Sequence, residues 1–196
     1  PRHNLQPMTS QLAAAHRVTY TAAAHRTEQA EHAGGAFASV LKHISHDPTA
    51  AQGHHLSGIA SGTDWTSLVL RMRAGPMLVI AGYMTDRVGL SGPNLTKIAG
   101  MQALAQVLGL PFVALCDWNM EPSELMQHPW FKDQAVVILT PDGVESTCTS
   151  GSARILDYVV MSASVAALAP ELSVDWGSRF KPHNSLVLKL RTNARA

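Results

Sequence analysis

The sequence predicts an α+β (α/β) fold, a mixed sheet or pair of sheets with helices outside. Apolar runs of strand length outnumber helical stretches, tight turns alternate with a crossover, and one segment alone repeats its apolar residues with strong helical spacing.

In chain order, Ser10 caps a short helix over Gln11–Ala15, and Val18–Thr21, β-branched and aromatic, reads as a strand. His25–Gly35 is polar, ends in Gly-Gly and reads as a loop; Ala36–Leu41 is the next strand, and Lys42–Ser61 is a second polar loop. Leu68, Leu70 and Met72 alternate with Val69, Arg71 and Arg73, the pattern of a strand with one wet face. Ala74-Gly75-Pro76 is a turn, and the continuously apolar Met77–Gly82 predicts a strand buried on both faces, so the two strands form an antiparallel hairpin. Leu95, Ile98, Met101, Leu104, Ala105 and Leu108 recur at spacings of three and four, the signature of a helix. Asn94 is its predicted N-cap, and Gly109 with Pro111 ends it. Phe112–Cys116 is a further buried strand, Pro122–Met126 a short helix, and 140–153 a loop. Ala135–Leu139, Ile155–Met161, Leu172–Trp176 and Ser185–Leu190 complete the strands.

The 196 residues are of single-domain length, taken here as one domain over 1–196. An apolar content of 46% against 15% charged residues excludes a disordered chain. The net charge of +1 gives no global field for nucleic acid and leaves only a local basic cleft for that role. Two cysteines, Cys116 and Cys148, form no disulfide framework and lean towards a reducing, intracellular compartment. No apolar run reaches membrane-spanning length, and the first residues lack a signal-peptide core.

The sharpest chemical signal is Cys116-Asp117-Trp118-Asn119. In extended chain, residues 117 and 119 project to one side, so a carboxylate and a carboxamide leave a core strand together. Such a pair can hold a water, a metal or a phosphate oxygen; it also suits the opening of a turn. Trp118 then points to the opposite face, into the core. Asp157 interrupts an apolar strand, where a carboxylate needs a partner. His183, just ahead of the last strand, is such a partner: Asp157 would fix one ring nitrogen and leave the other for substrate. Alternatively, backbone N–H groups satisfy Asp157. The histidines His43, His46, His54 and His55 match no zinc spacing and read as a solvated loop. Arg179, Lys181, Lys189, Arg191 and Arg195 suit either a nucleic-acid backbone or a protected edge strand. Arg87, after a strand end, is the better phosphate contact, and Trp130 is a candidate rim residue for stacking on a base.

Together these segments resemble the endonuclease/exonuclease/phosphatase superfamily, which includes apurinic/apyrimidinic endonucleases, DNase I-type nucleases, inositol-phosphate phosphatases and the endonucleases of non-LTR retrotransposons. Its Gly-Asp-Phe-Asn phrase is similar to Cys116–Asn119, its Ile-Asp-Tyr-Val phrase to Leu156–Val160, and its Ser-Asp-His phrase to Lys181-Pro182-His183. A family strand end closing on Tyr resembles Ile80–Tyr83, and Thr147 and Thr149 fall where members carry a threonine. The resemblance covers residues 34 to 191. It implies a DNase I-like two-sheet β-sandwich flanked by helices, here lacking its first strands. The family's metal-binding Glu has no counterpart: the sequence resembles the family from just after that residue, Glu28 and Glu31 are poor substitutes, and Pro182 stands where members have Asp.

The resemblance implies metal-dependent phosphodiester hydrolysis, most simply by an endonuclease acting on DNA with Mg2+ or Mn2+. The catalytic residues would be Asp117, Asn119, Asp157, His183 and Tyr83, with Arg87, Thr147 and Trp130 on the substrate and Asp117 as a candidate metal ligand. Two alternatives stand beside it: a degenerate or truncated domain of the same fold, and a phosphatase for inositol or sugar phosphates.

Overall fold

A computed structural model describes residues 16–21, 25–26, 32–33, 35–47, 64–133, 136–149, 153–177 and 183–191. The predicted helix over Gln11–Ala15, the residues His54, His55, Glu28, Glu31, Arg179, Lys181, Pro182 and Arg195, and the chain before residue 16 lie outside them.

Strand β1 (His16–Thr21) pairs antiparallel with β4 (Ala36–Leu41). Between them, in the stretch read as a loop, the two-residue strands β2 (His25–Arg26) and β3 (His32–Ala33) pair with each other. The main sheet is built from β5 (His46–Asp47), β6 (Trp65–Met72), β7 (Gly75–Tyr83), β8 (Phe112–Asp117), β9 (Val136–Leu139) and β10 (Asp157–Ser162). Its order is β5-β6-β7-β8-β10-β9, and β7–β8 is its parallel pair. A parallel pair needs a crossover, and helix α1 (Gly92–Leu108) supplies it. Short helices α2 (Pro122–Leu125) and α3 (Pro129–Asp133) follow β8, and α4 (Ala163–Ala166) follows β10. Strands β11 (Glu171–Asp175) and β12 (Ser185–Lys189) form a separate antiparallel pair.

Side-chain alternation divides the core between the two faces of the main sheet. Leu78, Ile80, Phe112, Ala114, Cys116, Tyr158 and Val160 meet the helices through Ile98, Met101, Leu104, Leu125, Trp130 and Phe131. Met77, Val79, Val113, Val159 and Met161 meet α4 and the second strand pair through Val165, Leu172, Leu186 and Leu188. Each fully buried Leu or Ile in these layers contributes about 1.5–3 kcal/mol. The expected arrangement, sheet against sheet with helices outside, is the one observed.

Three local expectations need correction. The wet face of β6 starts only at Arg71, because Leu68 and Val69 are both buried, on opposite faces of the strand. The N-cap of α1 is Ser91, with Pro93 in the first turn, while Asn94 lies inside the helix and is fully buried. Leu95, placed in the apolar stripe by its spacing, is exposed. The C-terminal signal holds: Gly109 sits at φ 59°, and its N–H closes on the Ala105 carbonyl. Among the described residues no helix is long and apolar enough to cross a membrane.

At Gly82 strand β7 leaves no room for a side chain beneath α1. A Cβ there would lie 2.7 Å from Met101 Cε and 3.0 Å from Cys116 Sγ. Gly82→Ala is therefore expected to cost about 1–3 kcal/mol by overpacking, read as a lower denaturation midpoint with an unchanged slope.

Candidate active site

Asp117 is the last residue of β8, and both neighbouring strands place a polar residue beside it. Tyr83, the last residue of β7, is its partner in the parallel ladder. Asp157, the first residue of β10, is its partner in the antiparallel ladder. Residues opposite one another on adjacent strands project to the same face, so the three side chains share one rim, on the face opposite the helices. His183 reaches this rim from just before β12, where it forms an isolated antiparallel bridge with Cys148. Its Nδ1 lies 2.8 Å from Asp157 Oδ2, a hydrogen bond, and its Nε2 lies 3.7 Å from Asp117 Oδ2. The imidazole thus stands between two carboxylates contributed by neighbouring strands.

The electrostatics follow from that placement. Burial, and then the negative charge of Asp157, push the Asp117 carboxyl up to about 7, against the opposing pull of His183. The hydrogen bond to Asp157 is the largest of the influences that hold the His183 imidazolium up to about 9, with burial opposing it. Burial, and then Asp117, raise the Tyr83 hydroxyl above its ordinary value. At neutral pH His183 is therefore protonated, with Asp117 close to its midpoint.

Asn119 reaches the site by a different geometry from the one expected. It lies beyond the strand at φ 50°, a left-handed conformation that Asn tolerates. Its N–H donates to Asp117 Oδ1 at 3.1 Å, closing a local turn, and its Nδ2 donates to the Met84 carbonyl at 2.7 Å. Turn and site coexist here, and the carboxamide works against the upward shift of the Tyr83 hydroxyl. Trp118 points into the helix-side core as expected; it is fully buried, stacked on Tyr158, and donates its Nε1–H to the Tyr158 carbonyl.

The three substrate-side expectations fare differently. Trp130 is 3% exposed and packs against Phe112 and Phe131 on the helix side of the sheet, so it is core and not rim. Arg87 is 92% exposed and pairs with the adjacent Asp86. Thr147 is fully buried, which removes it from the substrate. Its Oγ1 instead accepts the N–H groups of Leu156 at 3.0 Å and Asp157 at 2.9 Å. Its carbonyl accepts the N–H of Asn184, next to His183, at 3.0 Å. Thr147 therefore ties the segment carrying Asp157 to the segment carrying His183. Asp64, Asn94 and Lys97 are buried polar residues near Tyr83, of which the sequence singles out only Asn94, and that as a helix cap. Asn94 and Lys97 occupy helix positions aligned with Met101 and Leu104, and that interruption of an apolar stripe is the signal that could have found them.

One oxygen from each of Asp117 and Asp157 and one nitrogen of His183 lie within 4.8 Å of one another. An oxygen-rich set of this kind suits a hard divalent cation. The fit is also electrostatic: Asp117 is a buried carboxylate whose charge its own surroundings disfavour, and a cation would relieve that.

No protein-family model and no curated protein matches the sequence. Solved structures match the fold. The endonuclease domain of TRAS1, a telomere-specific non-LTR retrotransposon, aligns with a TM-score of 0.65 at 12% identity over 95% of this chain and 90% of that one. A 3'-5' exonuclease from Neisseria meningitidis aligns at 0.58 and 12% identity, over 94% and 83%. The human Nocturnin catalytic domain aligns at 0.56 and 18% identity, over 93% and 73%. These structures belong to the endonuclease/exonuclease/phosphatase superfamily, and the likeness establishes the DNase I-like fold for this chain.

Because Thr147 Oγ1 serves two buried N–H donors, Thr147→Val keeps the shape and strands both. The expected loss is about 2 kcal/mol or more in chemical denaturation, together with weaker hydrogen-exchange protection of the Asp157 amide.

Proposed function

We propose that this chain, with its DNase I-like fold, hydrolyses phosphodiester bonds with a divalent metal, and that its substrate is DNA cut internally. The observation that supports this most is the Asp117–His183–Asp157 array, closed by the 2.8 Å hydrogen bond and aligned by the strand register with Tyr83. Substrate class is argued from the neighbours: one is described as a retrotransposon endonuclease domain and another as a 3'-5' exonuclease.

In this reading Asp117 orients the attacking water and takes its proton. Burial and Asp157 make this carboxylate a stronger base than an exposed one, and a cation beside it would keep it ionised near neutral pH. His183, kept protonated by Asp157, presents Nε2 to the phosphoryl oxygens and stabilises the charge they develop. Tyr83 donates a hydrogen bond from its hydroxyl to the same phosphate. Asn119, fixed by its own two hydrogen bonds, holds the water or a phosphate oxygen. Asp117 and Asp157 carry the carboxylate oxygens that would hold Mg2+ or Mn2+, with the protonated His183 turned to the phosphate beside them, and a bound cation would supply neutralisation of the scissile phosphate.

Purified protein is expected to convert supercoiled plasmid to nicked circles only with Mg2+ or Mn2+, and Asp117→Ala or His183→Ala to slow nicking by about 100-fold or more. Nicking that persists in both variants rules the reading out.

The pH profile is a second check. Plotted as kcat/KM with Mg2+ present, the rate should fall through about 9 as His183 loses its proton, while the acid limb, where Asp117 takes one up, should lie below about 7 because the cation favours the carboxylate. Asp157→Asn removes the largest influence raising His183 and the one that, after burial, raises Asp117, so both limbs should move to lower pH, the alkaline one further, towards the ordinary imidazole value of 6.5.

A further inference from the structure

Behind Tyr83, on the side away from His183, lies a second buried charged group. Lys97 projects from α1 with its side chain 7% exposed, and Asp64, just ahead of β6, is 2% exposed. Lys97 Nζ lies 2.6 Å from Asp64 Oδ2. It also donates to the Tyr83 carbonyl at 3.0 Å and to Thr85 Oγ1 at 3.0 Å, so its three donors are all engaged. The Asp64 carbonyl accepts the Tyr83 N–H at 2.8 Å, and Asp64 Oδ1 accepts the Gly35 N–H at 2.9 Å. The Tyr83 carbonyl is thus held by the ammonium of the ion pair and its N–H by the main chain of Asp64, and the ammonium lies 5.8 Å from the centre of the Tyr83 ring. One turn earlier in α1, Asn94 accepts the Thr85 N–H at 2.7 Å and donates to the Thr85 and Gly89 carbonyls, each at 3.0 Å.

A buried ion pair is weak evidence of stabilisation, since apolar residues of similar volume commonly serve as well. What this pair provides that an apolar pair would not is a set of directed hydrogen bonds, and two of them fall on Tyr83 and Thr85 at the site. We propose that Lys97 and Asp64 are positioning residues that fix the Tyr83 hydroxyl against Asp117 and Asn119, an inference that rests on the phosphodiesterase reading. Neither touches the reacting atoms; both act through Tyr83.

Lys97→Met alone deprives the buried Asp64 carboxylate of its Lys97 counter-charge and is expected to unfold the chain or badly weaken it. The informative protein is Asp64→Asn with Lys97→Met, which removes both charges, retains side-chain volume and deletes the donors to Tyr83 and Thr85. Two readouts are compared with wild type: Mg2+-dependent plasmid nicking and the ring resonance of Tyr83 in tyrosine-labelled protein, assigned by its loss in Tyr83→Phe. With three tyrosines in the chain the assignment is direct. The expected result is a folded double variant with a shifted Tyr83 resonance, kcat lower by about 10- to 100-fold and little change in KM. Adding Tyr83→Phe to the double variant should cost little more, since the groups act as one unit. A folded double variant with wild-type kcat and an unmoved resonance overturns the proposal, as does a loss that multiplies fully with that of Tyr83→Phe. Should wild type show no metal-dependent cleavage of DNA, the functional reading fails by itself. The Tyr83 resonance then decides the positioning claim: moved in the double variant, it stands; unmoved, it falls.

Discussion

The register that β8 keeps with its two neighbours is the constraint on which the site depends. Pairing Asp117 with Tyr83 on one side and Asp157 on the other places three polar side chains at one height on one face. A slip of one residue in either ladder would turn a site group into the apolar core and a core residue out to the rim. The register is in turn held by the core itself. Val113, Val159 and Met161 must face the second strand pair, while Ala114, Cys116, Tyr158 and Val160 face the helices. The hydrophobic pattern that folds the chain is thus the same pattern that aligns the chemistry.

Given that alignment, Asp117 and Asp157 stand opposite each other with little water, and the two charges repel. His183 makes the arrangement tenable. Its hydrogen bond to Asp157 keeps the ring protonated, and the resulting positive charge offsets part of what burial and Asp157 impose on Asp117. The imidazole comes from a segment outside the main sheet, so a further device must deliver it. Thr147 does so, with its hydroxyl on the Asp157 segment and its carbonyl on the residue after His183. Lys97 and Asp64 have the matching place behind Tyr83. Buried polar groups on both flanks leave the rim little freedom to relax, which is the condition for preorganised electrostatic stabilisation.

Much of this was legible in the sequence because it rests on periodicity and punctuation. The strands from 65 to 189, the helix ended by Gly109 and the rim position of Asp117 follow from apolar runs with polar residues at their ends. Trp118 could be assigned to the core from alternation alone. The errors have a common physical source. Proximity to a motif speaks for Asn119, Trp130 and Thr147 in the sequence, whereas burial and backbone conformation decide their surroundings. A left-handed φ at Asn119 is invisible to an argument that assumes extended chain. Trp130 and Thr147 are buried by elements distant in sequence. Lys97 and Asp64 interact across 33 positions of chain, and nothing local pairs them.

The charge balance of the rim bears on why a cation belongs to the proposed chemistry. Two carboxylates and one imidazolium leave the Asp117–Asp157–His183 cluster with one net negative charge when all are ionised. A phosphodiester brings another, and in partly buried surroundings that repulsion is only weakly screened. The rest of the molecule offers little to counter it, since the whole chain carries +1 and Arg87 faces solvent. A divalent cation converts the encounter from repulsive to neutral, and it does so at the point where Asp117 most needs compensation. On this view the raised Asp117 carboxyl and the need for a metal are two expressions of the same uncompensated charge.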